Sequence, residues 1–203
     1  LDLNGDGVTL LDQSKSKAKF DWDGDGKRDK TGWVGKGDGL LVYDRNGYGT
    51  VSGADELSFI DDKEGAKSDL DGLSAFDSNG DGLFSEADEK WASFRIWKDD
   101  GNGKVGKREL ISLADAGVAS ITLAGQAVNR TYGWNENITV NTGAFTRTNG
   151  TTGALGDVAL RYAPTSKTDT QSQPVQAFAS QLAEAIAGFD VEDGGLSFDA
   201  DEN

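Results

Sequence analysis

The sequence predicts an α+β fold: a domain of acidic loops with short helices and a small antiparallel β region, plus a C-terminal helix. Three observations carry this expectation. Short stretches that alternate Asp or Asn with other residues and then close on Gly recur five times between residues 1 and 109. Apolar residues at helical spacing flank the fourth and fifth stretches, and beyond residue 119 the composition turns to β-branched residues divided by Asn, Gly and Thr.

The template for these stretches is the twelve-residue calcium loop of the EF-hand type. It needs hard oxygen donors at positions 1, 3 and 5, Gly at the sharp turn at position 6, a carbonyl ligand at 7, an apolar residue at 8 and a carboxylate at 12. The first loop offers Asp2, Asn4, Asp6 and Gly7, but its position 12 falls on Gln13, so a distant residue must close it or the site stays incomplete. After a basic connector, the second loop offers Asp21, Asp23, Asp25 and Asp29, with Gly32 where a closing carboxylate would stand. A short β-rich run, Gly39 to Tyr43, delivers the third loop, which has Asp44, Asn46 and Gly49. There Tyr48 is a poor ligand at position 5, and Asp55 or Glu56 could complete the shell.

The fourth loop is the fullest. Asp77, Asn79, Asp81, Gly82 and the carbonyl of Leu83 are in order, Phe84 faces the core, and Asp88 stands at position 12 one methylene shorter than the usual Glu. Leu70, Leu73 and Phe76 predict a short helix entering it, and Ala87, Trp91, Phe94 and Trp97 predict a helix leaving it. In the fifth loop Asp100, Asn102 and Glu109 fit positions 3, 5 and 12 while Lys98 falls at position 1, so Asp99 is expected to take that place in a loop one residue shorter. Leu110, Ile111, Leu113 and Ala114 read as a helix that Gly117 stops in the left-handed conformation. The fourth and fifth loops then form an EF-hand pair, with Phe84 and Val105 meeting between them.

From residue 119 onward, Ile121 to Leu123, Ile138 to Val140, Phe145 to Thr148 and Val158 to Tyr162 predict strands. The chain is thus read as 1–123 calcium-loop module, 124–162 β-rich part of the same domain, 163–174 linker, and 175–203 C-terminal helix and acidic tail. The last helix rests on Val175, Phe178, Leu182, Ile186 and Phe189, with Pro174 before it and Gly188 near its end.

Composition narrows the chemistry. The 203 residues hold 35 acidic and 20 basic side chains, a net charge of −15, and no Cys, His or Met. Disulfides, thiolate or imidazole metal sites and Ser-His or Cys-His catalysis are therefore excluded. Nucleic acid and anionic membranes are poor partners for such a surface, and no apolar run approaches a membrane span. About four to five Ca²⁺ ions would reduce the charge to roughly −7 to −5, so cations are expected to be a condition of compaction.

Taken in order, Leu-Asp-Leu-Asn-Gly-Asp-Gly (1–7), Phe-Asp-Trp-Asp-Gly-Asp-Gly (20–26), Thr-Gly-Trp-Val (31–34), Asp-Gly-Leu-Leu-Val (38–42), Asp-Arg-Asn-Gly (44–47) and Arg-Ile-Trp-Lys-Asp (95–99) resemble one family. It is the calcium-dependent self-processing module of RTX proteins, large proteins and adhesins exported by type I secretion. The resemblance implies a secreted or cell-surface location and neighbouring domains in a larger protein. It also implies cleavage of an Asp-Pro bond just upstream of the Leu-Asp-Leu segment, with transfer of the freed Asp to lysines through an isopeptide bond. The chain itself contains no Asp-Pro pair, since Pro164 and Pro174 follow Ala163 and Gln173. Two readings stay open: an autocatalytic processing module, or a purely structural or interaction module of a calcium-stabilised adhesin.

Overall fold

The computed structural model describes residues 1–128 and 137–164, all within one compact unit, Leu1–Lys167. The predicted C-terminal helix and acidic tail, and the linker from residue 165 on, lie outside the described residues. The described residues form thirteen antiparallel strands, most of them short: β1 (Leu10–Leu11), β2 (Lys19–Phe20), β3 (Asp29–Thr31), β4 (Trp33–Val34), β5 (Leu40–Tyr43), β6 (Leu83–Ser85), β7 (Phe94–Trp97), β8 (Leu110–Ser112), β9 (Val118–Thr122), β10 (Gln126–Ala127), β11 (Ile138–Arg147), β12 (Thr152–Ala159) and β13 (Tyr162–Ala163). They form four sheets, β1-β4, β13-β3-β2, β5-β7-β8, and a five-stranded sheet in which β11 carries β12 along one edge and β10 and β9 along the other, with β6 outside β9. The only α-helix among the described residues is α1 (Asp69–Leu73), which runs on into a 3-10 turn, Ser74–Phe76.

This corrects the expected fold class. The domain is built from β-sheets and loops, and is not an α+β EF-hand domain. The helix leading into the fourth loop is present, capped by Ser68, whose side chain accepts from Asp71 N. The helix expected after that loop is not: Trp91–Ser93 makes one 3-10 turn, and Phe94 to Trp97 is the central strand of its sheet. Leu110 to Ser112 is likewise a strand. Gly117 does adopt a positive φ of 79°, but it ends a single turn held by Ala116 N to Ser112 O and Val118 N to Leu113 O.

The β5-β7-β8 sheet explains both misreadings, because it is covered on both faces. Leu41, Tyr43, Phe94, Ile96 and Ile111 point into one core, around Phe59, Phe84, Ile121 and Phe145. The alternate residues Leu40, Val42, Trp97 and Leu110 point into a second core, around Phe20 and Trp33. A strand buried on both faces shows apolar residues at nearly every position, which mimics helical spacing over so short a run. The expected EF-hand pair is overturned by the same arrangement: Phe84 lies opposite Ile121 across β6 and β9, and Val105 packs in the second core.

Candidate metal centres

Each of the five acidic loops is built on two glycines in the left-handed region, the pairs 5/7, 24/26, 47/49, 80/82 and 101/103, with φ between +65° and +98°. Only Gly takes that conformation without a steric cost, and it turns successive backbone N–H groups inward. The aspartate opening the loop collects them. Asp2 accepts from Gly5 N at 2.7 Å and Gly7 N at 3.2 Å, Asp21 from Gly24 N at 2.8 Å and Gly26 N at 3.0 Å, and Asp77 from Gly80 N at 2.8 Å and Gly82 N at 2.9 Å. In the fifth loop Asp99 accepts from Gly101 N and Gly103 N, both at 2.9 Å. Those donors stand one residue nearer than in the other loops, which is the shortening expected when Asp99 replaces Lys98.

Three loops bring three acids together, each offering an oxygen within 4.8 Å of the others: Asp2, Asp6 and Asp38; Asp21, Asp23 and Asp25; and Asp99, Asp100 and Glu109. Asn4 joins the first through a bond from its Nδ2 to Asp6 Oδ2 at 2.9 Å, and Asn102 joins the last through its bond to Asp100. In the second, Asp29 is buried on β3, where its charge and that of Asp23 add to the burial that raises the Tyr162 phenol. The Asp99 carboxyl is raised by burial and by the charge of Glu109, against the opposing hydrogen bonds from Gly103 N, Gly101 N and the Trp33 side chain.

The other two loops close differently. In the third, Glu56, 1% exposed, reaches the loop in preference to Asp55. It accepts from Ser52 N at 2.5 Å and Asn46 Nδ2 at 3.1 Å, while Asp44 accepts from Gly49 N at 3.3 Å. Tyr48 is 79% exposed and points away from any shell. In the fourth, Asn79 and Asp81 are bonded at 3.1 Å, and Asp81 Oδ1 takes Leu83 N at 2.9 Å, so the segment holds its turn. Asp88 is buried, and both of its oxygens already hold backbone: Oδ1 accepts from Ser78 N and Oδ2 from Ser85 N, each at 2.8 Å. It staples the two ends of the loop.

A hard divalent cation fits this chemistry. The donors are carboxylates and amides without nitrogen or sulfur ligands, and the first group carries a buried carboxylate oxygen, Asp38 Oδ1, that no donor meets. Gathered acids with an unmet oxygen are costly unless a cation compensates them. Asp38 was not legible as a loop residue. The one local sign was an acid set between two glycines, Gly37 and Gly39.

Comparison with known proteins places the chain in a family. The SPM domain model matches residues 1–161, and the chain belongs to that family. It is similar to the iron-regulated protein FrpA of Neisseria meningitidis serogroup C, 38% identical over 166 residues. That match takes in 79% of this chain but 15% of FrpA, so the shared region is a small part of a much longer protein.

Proposed function

We propose that the chain is a calcium-binding module of a large secreted RTX-type protein, folding on Ca²⁺ outside the cell and then promoting cleavage of an Asp-Pro bond upstream of Leu1. The observation that supports it best is the set of five glycine-turned loops, three of which gather three carboxylates with an oxygen of each within 4.8 Å of the others. A protein exported unfolded would meet millimolar Ca²⁺ only outside the cell, so the ion would act as the folding cue.

In the chemistry proposed, an oxygen of the upstream Asp carboxylate attacks that residue's own main-chain carbonyl carbon. The carbon–nitrogen bond to Pro breaks, the Pro nitrogen takes a proton, and a cyclic anhydride remains. Water opens it to a free Asp terminus; a lysine amine opens it to an isopeptide bond, so lysines of other proteins are the proposed partners. Leu1 is well placed to transmit folding to that bond. Its amino nitrogen donates to Gly39 O at 2.8 Å and its carbonyl accepts from Gly39 N at 2.9 Å, so a preceding segment would be drawn along β5.

The test is a chain extended upstream by its native residues including Asp-Pro, incubated with and without Ca²⁺ and weighed by mass spectrometry. Cleavage at Asp-Pro in Ca²⁺ alone, lost in Asp81→Ala, is the expected result. An intact, folded, calcium-loaded chain would leave only the purely structural reading standing.

A further inference from the structure

We infer that Asp38 is a ligand of the Ca²⁺ ion held by the first loop, so that this ion ties residues 2–6 to a segment far along the chain. The inference rests on the reading that these loops take Ca²⁺.

Asp38 is 3% exposed. Its Oδ2 is fixed by two donors from one residue, Thr9 N at 2.8 Å and Thr9 Oγ1 at 2.7 Å. Its Oδ1 is buried and meets no donor, and the carboxylate lies within 4.8 Å of oxygens of both Asp2 and Asp6. The Leu1 amino group feels the charge of Asp38, but neither it nor Arg147 forms an ion pair with that carboxylate. Arg147 stands 4.0 Å from Asp2 and spends its guanidinium on the carbonyls of Asp2 and Leu3, and the Leu1 amino group donates to Gly39 O.

The backbone is shaped to bring Asp38 there. Asp2 and Asp38 form an isolated antiparallel bridge, and Gly37 has a φ of +107°. A side chain at position 37 would be strained by that φ and would push on the Asn4 amide, 2.5 Å from a Cβ there, so Gly suits the close docking of this segment on the first loop. Gln13, where a contiguous loop would place its closing ligand, is instead spent on Lys30 O through Nε2 at 2.8 Å. Asp38 supplies from outside what the loop lacks within. Because Gly39 exchanges two hydrogen bonds with Leu1, an ion held by Asp38 also fixes residue 1.

Two measurements test this on the full chain. In calorimetric Ca²⁺ titrations, Asp38→Asn should weaken one site about tenfold or more and leave the others unchanged, and Asp6→Asn, alone or added to it, should weaken that same site and no other, because both remove ligands of one ion. An unchanged titration would overturn the inference. Should the variant fail to fold, ¹³C NMR of the aspartate carboxylates in the unaltered chain still decides. The Asp38 signal should shift at the same Ca²⁺ ratio as those of Asp2 and Asp6. If Asp2 and Asp6 shift while Asp38 does not, this inference fails and the calcium reading stands; if no aspartate responds to Ca²⁺, both fail.

Discussion

Phe94→Ala is expected to abolish cooperative unfolding even in saturating Ca²⁺. The ring is fully buried and touches four others, stacking on Tyr43 at 4.7 Å and 3° and meeting Phe84 at 4.7 Å, Phe76 at 5.1 Å and Phe59 at 5.6 Å. Truncating a buried Phe costs about 3–5 kcal/mol, and lost aromatic pairing adds roughly 0.5–1.5 kcal/mol per contact. Against a total stability of about 5–15 kcal/mol this removes most or all of the margin. Phe94 also stands on the strand between the two cores, so its loss loosens the sheet that both share. Thermal denaturation followed by near-ultraviolet circular dichroism checks this. A variant that melts sharply within a few degrees of the parent would show that the core is not centred on this ring.

Asp157→Asn is expected to act in the opposite direction, stabilising the chain at neutral pH. Asp157 is 8% exposed, and burial, followed by the charge of Asp69, pushes its carboxyl up to about 6. Burial likewise raises Asp69, although Phe59 N, Ile60 N and Ser58 Oγ donate to it. A carboxyl that binds its proton more tightly when folded contributes stability below its unfolded pKa near 3.8, and that contribution is lost as pH rises through about 6. At pH 7.5 the ionised Asp157 therefore costs on the order of 2–3 kcal/mol. Asn keeps an oxygen for the bond from Leu70 N, which Asp157 Oδ2 now accepts at 3.1 Å, and carries no charge. Melting both proteins in saturating Ca²⁺ should show the variant ahead at pH 7.5 and the gap shrinking steadily toward pH 4. A gap that stays constant with pH, or a variant less stable at pH 7.5, would contradict the assignment.

What could be read from the sequence was what is local. The turn in each loop depends on an aspartate and two glycines within six residues, so the spacing alone located all five, including the shift to Asp99. The helix into Asp77 was equally local, with Ser68 as its cap. Closure was legible in part: Glu109 stands at position 12 and joins Asp99 and Asp100, and Glu56 was one of two candidates for the third loop, whereas Asp38 comes from another segment that the spacing does not reach. The helices assigned to 87–97 and 110–114 failed for a different reason. Trp97 and Phe94 face separate cores, and a strand covered on both sides carries no period-2 signal to set against the helical one. Strand β11 shows a related limit: Ile138 to Val140 and Phe145 to Thr148 read as two segments because Asn141, Thr142 and Gly143 between them look like a turn, whereas pairing to β12 carries one strand through them.

The central claim is that Ca²⁺ folds this chain, and far-ultraviolet circular dichroism in chelator and then in millimolar Ca²⁺ tests it most directly. The account predicts a largely unstructured spectrum in chelator, a large gain of β signal on adding Ca²⁺, and full reversal when chelator is restored. A chelated spectrum already identical to the calcium-loaded one would contradict it.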